Sequence, residues 1–132
     1  MSEENVEVVR RCNRYWADRD LSQMPELVDP DVVIDLSRNV FNPDVYRGYD
    51  GIERLVTGVD EMWERFEIEV EEVLDGGDTI FTATRISGRG RDGVEVDMPL
   101  FQIWTIRDGK VVRMTGGYRE KEDALEAAGL SE

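Results

Sequence analysis

From Glu67 onward the apolar residues stop repeating every three or four positions and begin to alternate, and alternation persists through three glycine-marked turns to Tyr118. A half-buried strand has period two and an amphipathic helix period 3.6, so the switch divides the chain into a mainly helical first half and an antiparallel second half. Glu67, Glu69 and Glu71 alternate with Ile68 and Val70. Gly76-Gly77 then turns the chain into Thr79–Gly88, Arg91-Asp92-Gly93 into Val94–Ile106, and Arg107-Asp108-Gly109 into Lys110–Tyr118. Such a sheet needs cover on one face, and the helices upstream must supply it.

Ser2-Glu3-Glu4 reads as a cap followed by acids at the positive end of a helix, with Val8, Val9, Cys12, Tyr15 and Trp16 forming its apolar stripe to about Asp20. A short helical turn around Pro25 (Met24 to Val28) stops at Asp29-Pro30, and the β-branched run Asp31–Leu36 is a strand. Residues 37–49 read as a long loop. Asp50 and Glu53 form a capping box for a helix carrying Ile52, Leu55, Val56, Val59, Met62, Trp63 and Phe66. A last helix, Glu120–Ala128, stops at Gly129.

Parity assigns faces along Val94–Ile106. Val96, Met98, Leu100, Gln102, Trp104 and Ile106 share the more apolar face and should meet the helices; Phe101 and Ile103 lie opposite. A three-residue bulged turn at 107–109 adds Val112, Met114, Gly116 and Tyr118 to the Gln102 face. Before the 91–93 turn two registers stay open. A two-residue turn puts Phe81, Ala83 and Arg85 with Gln102, and a bulge puts Ile80, Thr82 and Thr84 there.

Composition narrows the chemistry. With 132 residues the chain suits one domain. Sixteen Lys plus Arg against thirty Asp plus Glu give a net charge of −14, which argues against nucleic acid or an anionic membrane as partner. No His is present, so no imidazole triad, shuttle or metal ligand exists. The single Cys12 cannot form an internal disulfide, and no leader or spanning segment is evident, so a cytoplasmic location is expected.

The element order resembles the SnoaL-like and ketosteroid-isomerase-like branch of the nuclear-transport-factor-2-like superfamily. Three stretches carry the likeness: Tyr15–Leu21 running on to Asp29–Asp35, Tyr46–Ile52, and Phe101–Val112 with the closing Tyr118 and Ala124–Leu130. The resemblance implies one α+β domain over residues 1–132: a cone-shaped fold, its curved antiparallel sheet wrapped around three helices, with a short C-terminal helix. It implies an apolar pocket in the mouth of the cone. It also implies a homodimer through the outer sheet face, for which uncovered Phe101, Ile103 and Pro99 argue as well.

Against the family's catalytic patterns the chain mostly departs. The isomerase tyrosine falls near Cys12, within a turn of Tyr15 and Trp16; the isomerase base falls at Leu36, beside Asp35; the acid donor falls on Phe101 or Gln102. Arg85-Ile-Ser87 stands where epoxide hydrolases have Arg-x-Asp, and Gly116-Gly117-Tyr118 stands where they have a carboxylate before the aromatic.

Two residues are therefore the catalytic candidates. Asp35, between Ile34 and Leu36, is expected to act as a base with a raised pKa in an apolar mouth, and Gln102 to support an oxyanion. Tyr15, Trp16, Tyr46, Trp63, Arg85, Met98, Trp104 and Tyr118 are the substrate-binding candidates. No metal or cofactor is expected. Two functions remain open: a small-molecule-binding protein with an apolar pocket, which as an enzyme would be a cofactor-independent isomerase, cyclase or hydrolase acting on an apolar carbonyl-bearing or polycyclic compound, or a non-catalytic binding or dimerisation module with a filled pocket.

Overall fold

Val9, Cys12 and Tyr15 are spaced for one helical face, and in the computed structural model they form the buried side of α1 (Ser2–Asp18). The structure describes residues 2–18, 20–39 and 43–130; the side chain of the expected cap Ser2 and residues 40–42 of the expected loop lie outside it. A short turn capped by Asp20 leads into α2 (Met24–Leu27), then β1 (Val28–Asp35), β2 (Val45–Arg47) and α3 (Gly48–Met62). The remainder is β3 (Trp63–Asp75), β4 (Thr79–Gly90), β5 (Glu95–Arg107), β6 (Lys110–Tyr118) and α4 (Lys121–Ala128).

The six strands form one curved sheet in the order β2-β1-β6-β5-β4-β3. The architecture is the expected α+β cone, with one amendment: the sheet is mixed. β1 runs parallel to β6, because α3 and the intervening hairpins bring the chain back in the same direction. Within the expected loop, Val45–Arg47 is a strand paired with β1, Tyr46 lying opposite Ile34.

Helix α3 differs from expectation at both ends. It begins at Gly48, whose φ of +68° turns β2 straight into the helix; Arg47 is the N-cap and no capping box forms. It ends at Met62, so Trp63 and Phe66 belong to β3. Their spacing of three mimics a helical repeat because a bulge between Trp63 and Arg65 keeps both rings on one face, 5.4 Å apart.

Arg91, read from the sequence as the first residue of a turn, closes that helix end. Its guanidinium donates to the carbonyls of Asp60 (2.7 Å) and Glu61 (3.1 Å), and its backbone N–H to Met62 (3.1 Å). Cations suit the last turn of a helix, where carbonyls lack partners. We expect Arg91→Ala to lower unfolding free energy by about 1 kcal/mol, read as a urea midpoint shift.

The hairpin registers settle the faces. Thr82 pairs with Gln102, Ile80 with Trp104 and Thr84 with Leu100, so the bulged alternative holds before β5. At the next hairpin the expected three-residue turn is corrected. Arg107 pairs with Lys110 around a two-residue Asp108-Gly109 turn with φ of 52° and 77°. A bulge between Thr105 and Ile106 then puts Val111, not Val112, opposite Ile106 while returning Met114 to Trp104. A second irregularity, at Gly116-Gly117, brings Tyr118 opposite Phe101 and away from the Gln102 face.

Two clusters result. The larger lies between the helices and the inner sheet face. The smaller joins Phe81, Ala83, Ile103, Tyr118 and Ala124, with Phe101, Leu74 and Leu125 packed against it. Helix α4 therefore supplies cover that the sequence reading assigned to a second copy: Ile103 is buried, Phe101 half-buried and stacked on Phe81, and Pro99 alone of the three stays exposed.

Candidate functional site

The inner face of the sheet does not meet the helices everywhere. Between α1, α3 and the sheet lies a cavity of about 150 Å³. Cys12, Tyr15 and Trp16 line it from α1, and Ile52, Leu55 and Val59 from α3. Ile34, Leu36, Phe66, Ile68, Leu100, Gln102, Trp104 and Met114 come from the sheet. A second space of about 70 Å³ adjoins it, reaching Tyr46, Met62, Trp63 and Met98. Both spaces share Asn39, Leu55, Val59, Phe66, Ile86 and Leu100.

Of the ten sequence candidates, seven come together here. Tyr15, Trp16, Gln102 and Trp104 line the larger space, and Tyr46, Trp63 and Met98 the smaller. Three do not. Arg85 sits on the outer face, paired with Asp97 at 2.6 Å, because the bulged register turns it outward. Tyr118 lies in the outer cluster, with the Arg38 guanidinium 4.5 Å above its ring.

Asp35 is the third correction. Val32, Ile34 and Leu36 are buried on the inner side of β1, so Asp35 points to the other face. Its carboxylate accepts from the Ser37 hydroxyl (2.6 Å), the Ser37 N–H (3.0 Å) and Arg113 (2.9 Å). The Ser37 hydroxyl bond, the Ser37 N–H and the nearby Arg113 and Arg38 hold its pKa below the ordinary carboxylate value. Such a group is a poor base at neutral pH, and the expected raised pKa is overturned.

Gln102 is built differently. The indole N–H of Trp104 donates to Thr82 Oγ1 at 3.0 Å, and the Thr82 hydroxyl donates to Gln102 Oε1 at 3.0 Å. An indole is a donor only, so Thr82 accepts from it and passes its own hydrogen on to the amide oxygen. The chain of bonds fixes which way the amide faces. No buried side-chain N or O among the described residues lacks a partner, the Gln102 amide oxygen is engaged by Thr82, and the Gln102 side chain lines the cavity.

On α1, Cys12 and Tyr15 lie one helical turn apart and interact through their side chains. Burial pushes the thiol up to about 12, with the Tyr15 bond and Arg11 opposing, and burial likewise raises Tyr15. Both stay neutral at physiological pH. Because the folded thiol has a pKa above its ordinary 9.0, it favours the fold fully below that value, and the contribution disappears as pH climbs toward 12. The depressed Asp35 works in the opposite sense, its contribution disappearing only as pH falls below the ordinary carboxylate value and through its lowered pKa. We expect urea midpoints to hold steady from about pH 5 to 8 and to drop above about pH 9, with the alkaline drop blunted in Cys12→Ala.

Sequence reasoning missed Thr82 as the orienting hydroxyl and Asn39 and Leu55 as wall residues. The pairing of Thr82 with Gln102 was legible once the register was chosen. Asn39 lies beyond β1 with no periodicity to mark it. Among the described residues no helix is long and apolar enough to cross a membrane, and no three His, Cys, Asp or Glu gather as a metal set.

Comparison with known proteins agrees with this geometry at the level of fold. Bal32a, from a soil-derived mobile gene cassette, superposes with a TM-score of 0.80 at 19% identity, covering 96% of this chain and 97% of its own. An NTF2-like protein from Burkholderia xenovorans LB400 gives 0.78 at 19% identity, covering 97% of each chain. TerC, crystallised with polyporic acid, gives 0.76 at 19%, covering 95% and 97%. No curated protein sequence matches. The sequence profile of the SnoaL-like domain matches residues 9–114, a span running from the buried face of α1 to Met114 on the cavity wall. By that match, over a fold with the helix-covered cavity such a cone encloses, the chain belongs to the SnoaL-like domain family.

Proposed function

We propose that this protein binds a small apolar carbonyl compound in the cavity between α1, α3 and the sheet, with the Gln102 amide nitrogen donating to the ligand's carbonyl oxygen. The observation that carries this is the Trp104–Thr82–Gln102 chain of hydrogen bonds, which engages the amide oxygen and leaves the amide nitrogen as the donor in a mostly apolar cavity. Apolar walls with a few oriented polar groups are the general design of a small-molecule site.

Of the two functions the sequence leaves open, the small-molecule pocket is kept without its catalytic base: Asp35, the only proposed base, faces the other side of the sheet and is held by Ser37 and Arg113, and the open cavity disfavours a filled-pocket module. We expect Asp35→Asn to leave ligand affinity unchanged within about twofold, while losing a partly exposed ion pair costs under about 1 kcal/mol of stability. Titration with the two-ring ketone 1-tetralone, followed by ligand-observed NMR, tests the reading itself. Saturable binding to the wild type and its loss in Leu55→Trp, whose indole fills space common to both cavities, supports it. Binding undiminished in Leu55→Trp contradicts it.

A further inference from the structure

We infer that the cavity is selective by charge and by size, taking uncharged carbonyl compounds of one or two rings and rejecting both carboxylates and four-ring compounds. This rests on the small-molecule reading above and names the ligand class of the same site.

Charge comes first. Among the described residues lining the two adjoining spaces there is no Asp, Glu, Lys or Arg. Cations that come near are engaged on the outside. Arg54 lies over the Tyr46 ring at 4.4 Å and pairs with Asp44, Arg38 covers Tyr118, and Arg113 holds Asp35. An ionised ligand loses its hydration and finds no counter-charge, so it binds far more weakly than a neutral one. The polar groups that do line the larger space, including the Cys12 thiol and the Tyr15 hydroxyl, are neutral.

Size is the second filter. In another protein an apolar cavity of about 150 Å³ holds one benzene ring. The larger space here is about 150 Å³ and its extension about 70 Å³, room for a second ring and not for four. The wall has little slack at the β6 bulge. A Cβ on Gly116 would lie 2.9 Å from Leu36 Cδ2, and one on Gly117 2.8 Å from the Asn39 backbone N. A ligand too long for the cavity cannot gain space there without displacing backbone.

The third feature is Gln102, a cavity-lining amide whose oxygen is already held by Thr82. An acceptor oxygen on the ligand gains a bond from its nitrogen; a hydrocarbon of the same shape leaves that nitrogen dry and unpaired.

The test uses the full chain and dissociation constants for four probes: 1-tetralone, tetralin, 1-naphthoate and androst-4-ene-3,17-dione. We expect 1-tetralone to bind best, tetralin about tenfold more weakly, and the naphthoate and the four-ring diketone about a hundredfold more weakly or not at all. Gln102→Leu, or Gln102→Met if the first variant does not fold, should reduce 1-tetralone to the tetralin value. Naphthoate or the diketone binding as tightly as 1-tetralone overturns the selectivity and leaves the small-molecule reading standing. An unchanged preference for 1-tetralone over tetralin in both variants overturns the role of Gln102 in it. Binding of none of the four overturns the selectivity and the underlying reading together.

Discussion

Replacing Thr82 by Val is expected to cost about 2–4 kcal/mol of unfolding free energy although the two side chains have nearly the same shape. Thr82 is fully buried and sits between a donor and an acceptor. Valine leaves the Trp104 indole N–H and the Gln102 carbonyl oxygen without their partner, and each stranded buried group costs roughly 1–3 kcal/mol. The amide also loses the bond that fixes its orientation, so 1-tetralone affinity should fall along with stability. Thr82→Ser keeps the hydroxyl and separates the two causes. It should retain ligand affinity while losing about 1 kcal/mol for the missing methyl. Urea denaturation of the three proteins, with a ligand titration on each, checks both halves.

The second large effect is expected at Gly117. Its φ is +84°, a region costly for a residue with a Cβ, and an added methyl runs into Asn39 Oδ1 and lies 3.0 Å from the Arg38 carbonyl carbon. Backbone strain and overpacking each contribute about 1–3 kcal/mol, so Gly117→Ala should lose about 3 kcal/mol. Gly93 has a similar φ of +93° with open space where the methyl would go. Gly93→Ala should therefore lose only about 1 kcal/mol, and the difference between the two variants measures the contact with residues 38–39. Equal losses contradict the close approach. Because Asn39 lines both cavity spaces, Gly117→Ala should also weaken 1-tetralone binding, which Gly93→Ala leaves intact.

These two residues show where the sequence was and was not legible. Alternation along β5 placed Met98, Gln102 and Trp104 on the helix-facing side, and the structure agrees, because parity along an uninterrupted strand depends on backbone geometry alone. Tyr118 and Val112 went to the wrong face because two irregularities interrupt β6, and each extra residue flips the parity of the strand beyond it. Arg85 depended on one turn. Asp35 is the instructive miss. Its apolar neighbours suggest an apolar environment, but in a strand the neighbours at i−1 and i+1 point to the opposite face, so Ile34 and Leu36 in the core place Asp35 outside it. The covering of Phe101 and Ile103 by α4 is a tertiary contact that no local pattern records.

A donor at Gln102 facing an apolar cavity is the central claim, and the side-chain amide resonances of the two glutamines test it most directly. Gln23, at the end of the turn before α2, accepts from Arg11 at 3.0 Å far along the chain from Gln102 and serves as the internal reference. In ¹H–¹⁵N spectra recorded during a 1-tetralone titration, the Gln102 amide protons are predicted to shift saturably while those of Gln23 stay in place. A Gln102 amide that does not move at ligand saturation, or that moves no more than Gln23, contradicts the central claim.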